Sequence, residues 1–250
     1  MKKILSLLLC CLLSFSLVGC ELMDALKTLE PSGEETSTTA PVSGEEFEYK
    51  KDDTNEKVEE LRLANGYLFR YEITTSDEDG EDNKTIAFGS KGDIYYMNDG
   101  SSEYYFDLSS EESGTQFSKS GDDEWTKTTV TYSEDVSKDQ LKQVMDLLFT
   151  NLSAWVTVYD SYSTSLSSAA KSNTTVAGRA CDEYAFSDAT ILPEVGSVRA
   201  VFTCSIDKET GICLKWDYRA DINGVEYFWT IECTEFNTNP RFTLPTVVED

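Results

Sequence analysis

Hydrophobic positions fall into distinct regimes along this chain. Residues 4–18 are almost wholly apolar, interrupted only by Ser6, Ser14 and Ser16, whereas residues 30–46 hold no aromatic side chain and are rich in Ser, Thr, Glu, Gly and Pro. From Phe47 onward apolar patterning resumes. Tyr67, Phe69, Tyr71 and Ile73 alternate with Arg70, Glu72 and Thr74, the period-two signature of a strand with one buried face. Short strands are predicted at 85–88, 93–97, 103–108, 115–118 and 124–132, with turn signals at Lys91-Gly92, Asn98-Asp99-Gly100 and Ser120-Gly121-Asp122. The polar run 77–83 reads as a hairpin tip. Such an order is a meander, not a series of strand-helix units.

Helical spacing occurs in two main places. Residues 55–65 form a short amphipathic segment with Val58, Leu61 and Leu63 to bury, and Gly66 ends it. Ser137-x-x-Gln140 is a capping box that opens the main helix. Beyond it, Leu141, Val144, Met145, Leu148, Leu152, Trp155, Val156 and Tyr159 recur at spacings of three and four, a stripe wide enough to cover a sheet. The Ser-rich segment 161–172 shows neither period.

The last quarter alternates most cleanly. Val198, Ala200, Phe202, Cys204 and Ile206 share one face, as do Leu214, Trp216, Tyr218 and Ile222, and then Val225, Tyr227, Trp229, Ile231 and Cys233. Asn223-Gly224 is a type I′ hairpin signal that pairs Ile222 with Val225. Three antiparallel strands thus present one aromatic face and one polar face. That register sets Cys233 opposite Leu214, turns Cys213 outward and leaves Cys204 two strands from Cys233, about 9–10 Å away. A bridge needs Cα atoms within about 7 Å. Both buried thiols and one disulfide stay open for Cys181, Cys204, Cys213 and Cys233.

Composition narrows the chemistry. The formal charge is −25 and there is no histidine. The charge opposes nucleic acid and anionic headgroups as partners. The absence of histidine excludes Ser-His-Asp and Cys-His catalysis and every His-ligated metal site. With 13 tyrosines, 12 phenylalanines and four tryptophans, the chain is expected to fold around a core rather than stay disordered. The acidic run 77–82 fails the calcium-loop spacing, because Gly80 comes too early after Asp77. No catalytic residue, metal ligand or cofactor is expected.

The N-terminus resembles a bacterial lipoprotein signal. Lys2 and Lys3 precede the apolar run, and Leu17-Val18-Gly19 stand before Cys20 as in a lipobox. The fifteen residues 4–18 rise only ~22 Å as a helix, short of the ~30 Å hydrocarbon core, so a cleaved signal fits better than a permanent span. The resemblance implies a diacylglyceryl group on Cys20, and more than one acyl chain makes a stable anchor. Residues 1–19 are then the signal, 20–46 the lipidated N-terminus and flexible tether, and 47–250 one domain on the extracytoplasmic face of the cell membrane.

Further motifs resemble a family. Val176-x-Gly178-x-x-Cys181-x-x-Tyr184, the run Ile206-Asp207-Lys208-Glu209-Thr210-Gly211 and the closing Arg241-Phe242-Thr243-Leu244-Pro245 resemble the LolA-like and LppX-like lipoproteins. The resemblance implies a curved antiparallel half-barrel, mainly β, with helices over its concave face, and a role in binding lipids or lipidated proteins. Tyr67, Phe69, Tyr71, Trp216, Tyr218, Tyr227 and Trp229 would line that concavity. A hydrophobic small molecule or acyl chain is the expected ligand. The alternative is a filled core serving a non-catalytic surface-interaction or envelope-maintenance module.

Anchoring is directly testable. Mass spectrometry of the mature N-terminus should find a lipid-modified Cys20, and Cys20→Ala should move the protein out of the membrane fraction. A Cys20→Ala protein that stays membrane-bound would assign the anchor to the apolar segment instead.

Overall fold

Alternation in the sequence is realised as two successive β-meanders. The computed structural model describes residues 51–77, 80–133, 136–153, 169–192, 196–222 and 225–247. Its first part is α1 (Lys51–Ala64), β1 (Tyr67–Asp77), β2 (Gly80–Lys91), β3 (Ile94–Asn98), β4 (Ser102–Asp107), β5 (Ser113–Ser120), β6 (Thr126–Thr131) and α2 (Lys138–Ser153). Its second part is β7 (Ala170–Val176), β8 (Arg179–Leu192), β9 (Gly196–Asp207), β10 (Cys213–Ile222) and β11 (Val225–Asn237). The signal, Cys20, the tether, the Asn223-Gly224 turn, Trp155, Val156, Tyr159 and the side chains of Leu148 and Leu152 lie outside the described residues.

All eleven strands join one open antiparallel sheet in the order β6-β5-β4-β3-β2-β1-β11-β10-β9-β8-β7, a curved half-barrel. The two meanders meet where β1 pairs with β11, from Leu68↔Asn237 to Ser76↔Phe228. Two bulges interrupt the central ladders. One makes Thr234 an extra residue of β11, between the pairs Arg70↔Glu235 and Tyr71↔Cys233. The other makes Leu214 an extra residue of β10, between Cys213↔Ile206 and Lys215↔Ser205. Bulges bend a strand and increase its twist, which favours a curved sheet over a flat one.

Both helices lie against the concave face of the first meander. The α2 capping box forms as its sequence predicts, with Ser137 N donating to Gln140 Oε1 at 2.9 Å and Gln140 N to Ser137 Oγ at 3.2 Å. Leu141, Met145 and Phe149 of α2 are buried, and the Phe149 ring meets Tyr95 at 5.2 Å. In α1, Val58 is buried and Leu61 packs on the core, but Leu63 is 70% exposed, contrary to the sequence expectation. Residues 58, 61 and 62 share one stripe, and Leu63 falls outside it. Gly66 closes α1 at φ +81, its N–H donating to Leu61 O at 2.9 Å, and a Cβ there would lie 2.5 Å from Ser90 O. Among the described residues no helix is long and apolar enough to cross a membrane.

The convex face has its own aromatic cluster. Gly89, Tyr96, Tyr105 and Phe117 stand in one register row across β2 to β5. The segment after β11 crosses this row. Phe242 meets Tyr96 at 6.0 Å and Tyr105 at 6.4 Å, and Trp125 meets Tyr105 at 5.7 Å. Lys91 Nζ fixes the segment by donating to Asn239 Oδ1 at 2.7 Å and Pro240 O at 3.0 Å. Gly89 leaves the room, since a Cβ there would lie 3.1 Å from the Phe242 ring and 2.3 Å from Tyr67 O.

Other boundaries also differ from the sequence reading. The expected tip at 77–83 is mostly strand, because β1 and β2 pair as far as Asp77↔Gly80. Strand β7 takes up the end of the Ser-rich segment, and β8 runs for 14 residues where no strand was expected. Cys213 is buried and pairs with the inward Ile206, so it does not point outward. The Leu214 bulge reverses its side, as a one-residue shift must in a period-two element.

The run Ile206 to Gly211 acquires a structural reason. Asp207 ends β9 with only 2% of its side chain exposed. Its carboxylate accepts two bonds from Arg179, Nε and Nη2, each at 2.9 Å, and two from Thr210, N at 3.0 Å and Oγ1 at 2.6 Å. The Arg179 guanidinium also lies 4.5 Å from the centre of the Phe236 ring. This cluster ties the start of β8 to the β9–β10 turn and to β11. Removing one partner of such a buried pair costs about 3–5 kcal/mol, while replacing both by apolar residues costs far less. In urea denaturation Arg179→Ala should therefore lose about 3–5 kcal/mol. An Arg179→Met, Asp207→Leu double variant should recover much of that loss, and Glu209→Ala, on an exposed carboxylate, should barely move the midpoint.

Candidate functional site

The register brings the expected aromatic residues onto one surface. Across the seam, Tyr71 pairs with Cys233 and Ile73 with Ile231, and Trp216 pairs with Ile231, Tyr218 with Trp229 and Ala220 with Tyr227. Tyr67 and Phe69 continue the same face along β1. Tyr67, Phe69, Tyr71, Trp216, Tyr218 and Trp229 are buried, and Tyr227 is partly buried against them. Two long rows result. One runs Tyr184, Cys204, Trp216, Ile231, Ile73, and the next runs Phe186, Phe202, Tyr218, Trp229.

Ring contacts knit these rows together. Phe69 stacks on Phe236 at 4.5 Å, Phe186 stacks on Phe202 at 5.2 Å, and Phe202 meets Trp216 at 5.7 Å and Tyr218 at 5.4 Å. Each such pair adds about 0.5–1.5 kcal/mol beyond the burial of its area. Phe186 and Phe236 extend the surface beyond the sequence list. Phe186 sits on β8, whose alternation was not recognised as a strand. Phe236 reaches the concave side only because Thr234 is bulged, since strict alternation from Cys233 would turn Glu235 inward.

Polar groups lie at two places on this face. Under the helices, Tyr95 Oη donates to Asp146 Oδ1 at 2.6 Å, and Arg62 reaches Asp146 at 3.1 Å and Glu59 at 2.6 Å. The Arg62 hydrogen bond holds the Glu59 carboxyl below its ordinary range. This network joins α1, α2 and β3, and no sequence motif announces it. At the seam, Tyr71 Oη donates to Cys213 O at 3.4 Å, which supplies a polar contact beside the β10 bulge.

The four cysteines of the second meander are buried thiols. Burial pushes the Cys233 thiol up to about 12 and raises Cys204 and Cys181 as well. A thiol held protonated is a poor nucleophile. Among the described residues no cluster of three or more Cys, Asp or Glu is placed to hold a metal ion. This face is apolar, with hydroxyls at a few points.

No protein-family model matches this chain, and no curated protein does. Solved structures with some likeness include MucB, at 15% identity and a TM-score of 0.29 over 77% of this chain and 60% of that one. The chain thus spans about 60% of the length of MucB. A DUF1329 family protein from Desulfovibrio piger aligns at 11% identity and a TM-score of 0.24, over 74% of this chain and 90% of that one. A structure described as an outer membrane lipoprotein-sorting protein domain, from Vibrio parahaemolyticus, gives 6% identity and a TM-score of 0.19, over 73% and 91%. With identities and scores this low, the site is read from the residues of this chain.

Burial of tyrosines and thiols makes the fold sensitive to alkali. Burial raises Tyr67, Tyr71 and Tyr95 above their ordinary value of 10.0 and pushes Tyr96 up to about 12. Above about pH 9 the unfolded chain sheds protons that the folded chain retains, so the unfolding free energy falls as pH rises. This contribution is intact below about pH 9 and is lost progressively as the pH rises above it. Urea midpoints should drop over that rise, and tyrosinate absorbance should rise together with loss of the β-type circular dichroism. Buried tyrosines that all ionise near pH ~10 with the dichroism unchanged would contradict this picture.

Proposed function

We propose that the protein is a lipid-anchored extracytoplasmic lipoprotein whose half-barrel binds a hydrophobic ligand, such as a lipid acyl chain, against the concave aromatic face. The observation that carries this reading is the continuity of that face. From Tyr67 on β1 across the β11 seam to Tyr218 on β10, the inward side chains are aromatic, aliphatic or thiol. Pockets for apolar ligands share this make-up, an apolar lining with a few placed polar groups. The Leu17-Val18-Gly19-Cys20 lipobox supplies the anchor, and residues 30–46 the slack between anchor and domain. With no histidine and with protonated, buried thiols, the residues favour binding over catalysis.

A second reading is favoured by one observation. Rings stack directly on rings, as Phe69 does on Phe236, in the manner of a closed core. In that case the domain is a surface-interaction or envelope-maintenance module acting through its acidic exterior. Native mass spectrometry of protein purified without detergent separates the two. A ligand-binding domain should carry an acyl-sized adduct that is lost on delipidation, and the emptied protein should change its tryptophan fluorescence on titration with fatty acids or phospholipids. Adduct-free protein with flat fluorescence titrations would decide for the filled core.

A further inference from the structure

Among the described residues the hydroxyls of Ser90, Tyr132, Ser205 and Tyr218 are buried without a hydrogen-bond partner, and of these four Tyr218 is the one set in the aromatic rows of the second meander. Tyr71 donates to Cys213 O and Tyr95 donates to Asp146, so each satisfies its polar atom within the protein. Tyr218 Oη is equally buried, in a residue only 4% exposed, and among the described residues it has no hydrogen-bond partner. Its register neighbours are Trp229 and Phe202, and the Phe202 ring lies 5.4 Å away. A buried hydroxyl without a partner costs about 1–3 kcal/mol, a loss that a bound hydrogen-bond acceptor would offset.

We propose that Tyr218 is the polar recognition point of the site, its hydroxyl donating a hydrogen bond to the ester carbonyl oxygen of a bound acyl chain. This rests on the ligand-binding reading above and narrows it from hydrophobic matter to acyl esters. The chemistry selects that class. A phenol surrounded by rings is a single neutral donor, and its complement is a neutral acceptor on an apolar body. A free carboxylate beside it would be a buried charge set among aromatic rings, which is costly. Burial raises Tyr218 above the ordinary tyrosine value and so keeps the donor proton in place. A hydrocarbon chain could lie along Trp216 and Ile231 equally well with or without a carbonyl. The ester carbonyl would relieve the unpaired hydroxyl, which a plain hydrocarbon cannot do.

Monopalmitoylglycerol and its ether analogue hexadecylglycerol share chain and headgroup and differ in that carbonyl. Wild-type protein, delipidated and titrated with each, should bind the ester about tenfold more tightly, the worth of one hydrogen bond in a dry site. Tyr218→Phe should bind the two alike, at the wild-type affinity for the ether. The unliganded variant should melt at or above the wild-type temperature, because it loses no internal bond. A Tyr71→Phe variant, which does lose one, should melt lower. Equal wild-type affinities, a Tyr218→Phe protein that keeps the preference, or a lower melting temperature for unliganded Tyr218→Phe would each overturn the assignment. Wild-type protein that binds neither probe would remove the ligand-binding reading and this assignment with it.

Discussion

A single open sheet must shield one face across its entire width, and no second sheet is present among the described residues to do so. That constraint orders the structure. The strands bring most of their apolar residues to one side, and bulges at Leu214 and Thr234 fall in the central strands, where added twist draws that side into a hollow. Aromatic rings of neighbouring strands touch along it. Over the first meander the two helices complete the cover, and the Arg62–Asp146–Tyr95 network fixes their position. A flat sheet of the same residues would expose an apolar patch far larger than a soluble surface tolerates.

Polar atoms inside the hollow follow from the same geometry. Tyrosine supplies ring area and a hydroxyl together, so every tyrosine chosen to fill the concavity brings a group that needs a partner. Bulges expose carbonyls that can serve, as Cys213 O serves Tyr71. The carboxylate of Asp146 serves Tyr95 beneath the helices. Tyr218, farther along β10, has neither nearby. Local irregularity of the backbone and the polarity of the site are thus linked through individual residues.

Much of this was legible in the sequence. The period-two runs of β1, β10 and β11 fixed which side chains face inward, and the Ser137–Gln140 box formed as written. Legibility failed where the backbone breaks its own period. The two bulges turned Cys213 and Phe236 to the concave side, and a bulge leaves no mark in a sequence that stays apolar around it. Strand β8 was missed because Cys181, Tyr184 and Phe186 bury side chains from both faces, so its pattern does not alternate cleanly. Contacts such as Arg62 with Asp146 depend on helix packing, which local pattern does not encode.

The pairing of β1 with β11 also fixes an order of events. Arg70 and Glu235 stand 165 positions apart, yet they are neighbours in the finished ladder. Ladders closed over such separations form slowly, since the entropy of closing the loop is lost before the contacts are gained. The first meander can pair within itself from β1 to β6, but one edge of β1 stays bare until the last strand has been made. The segment carrying Phe242 arrives later still, to cover the convex rings of β3 and β4. The native sheet therefore cannot close until β11 is available to pair with β1.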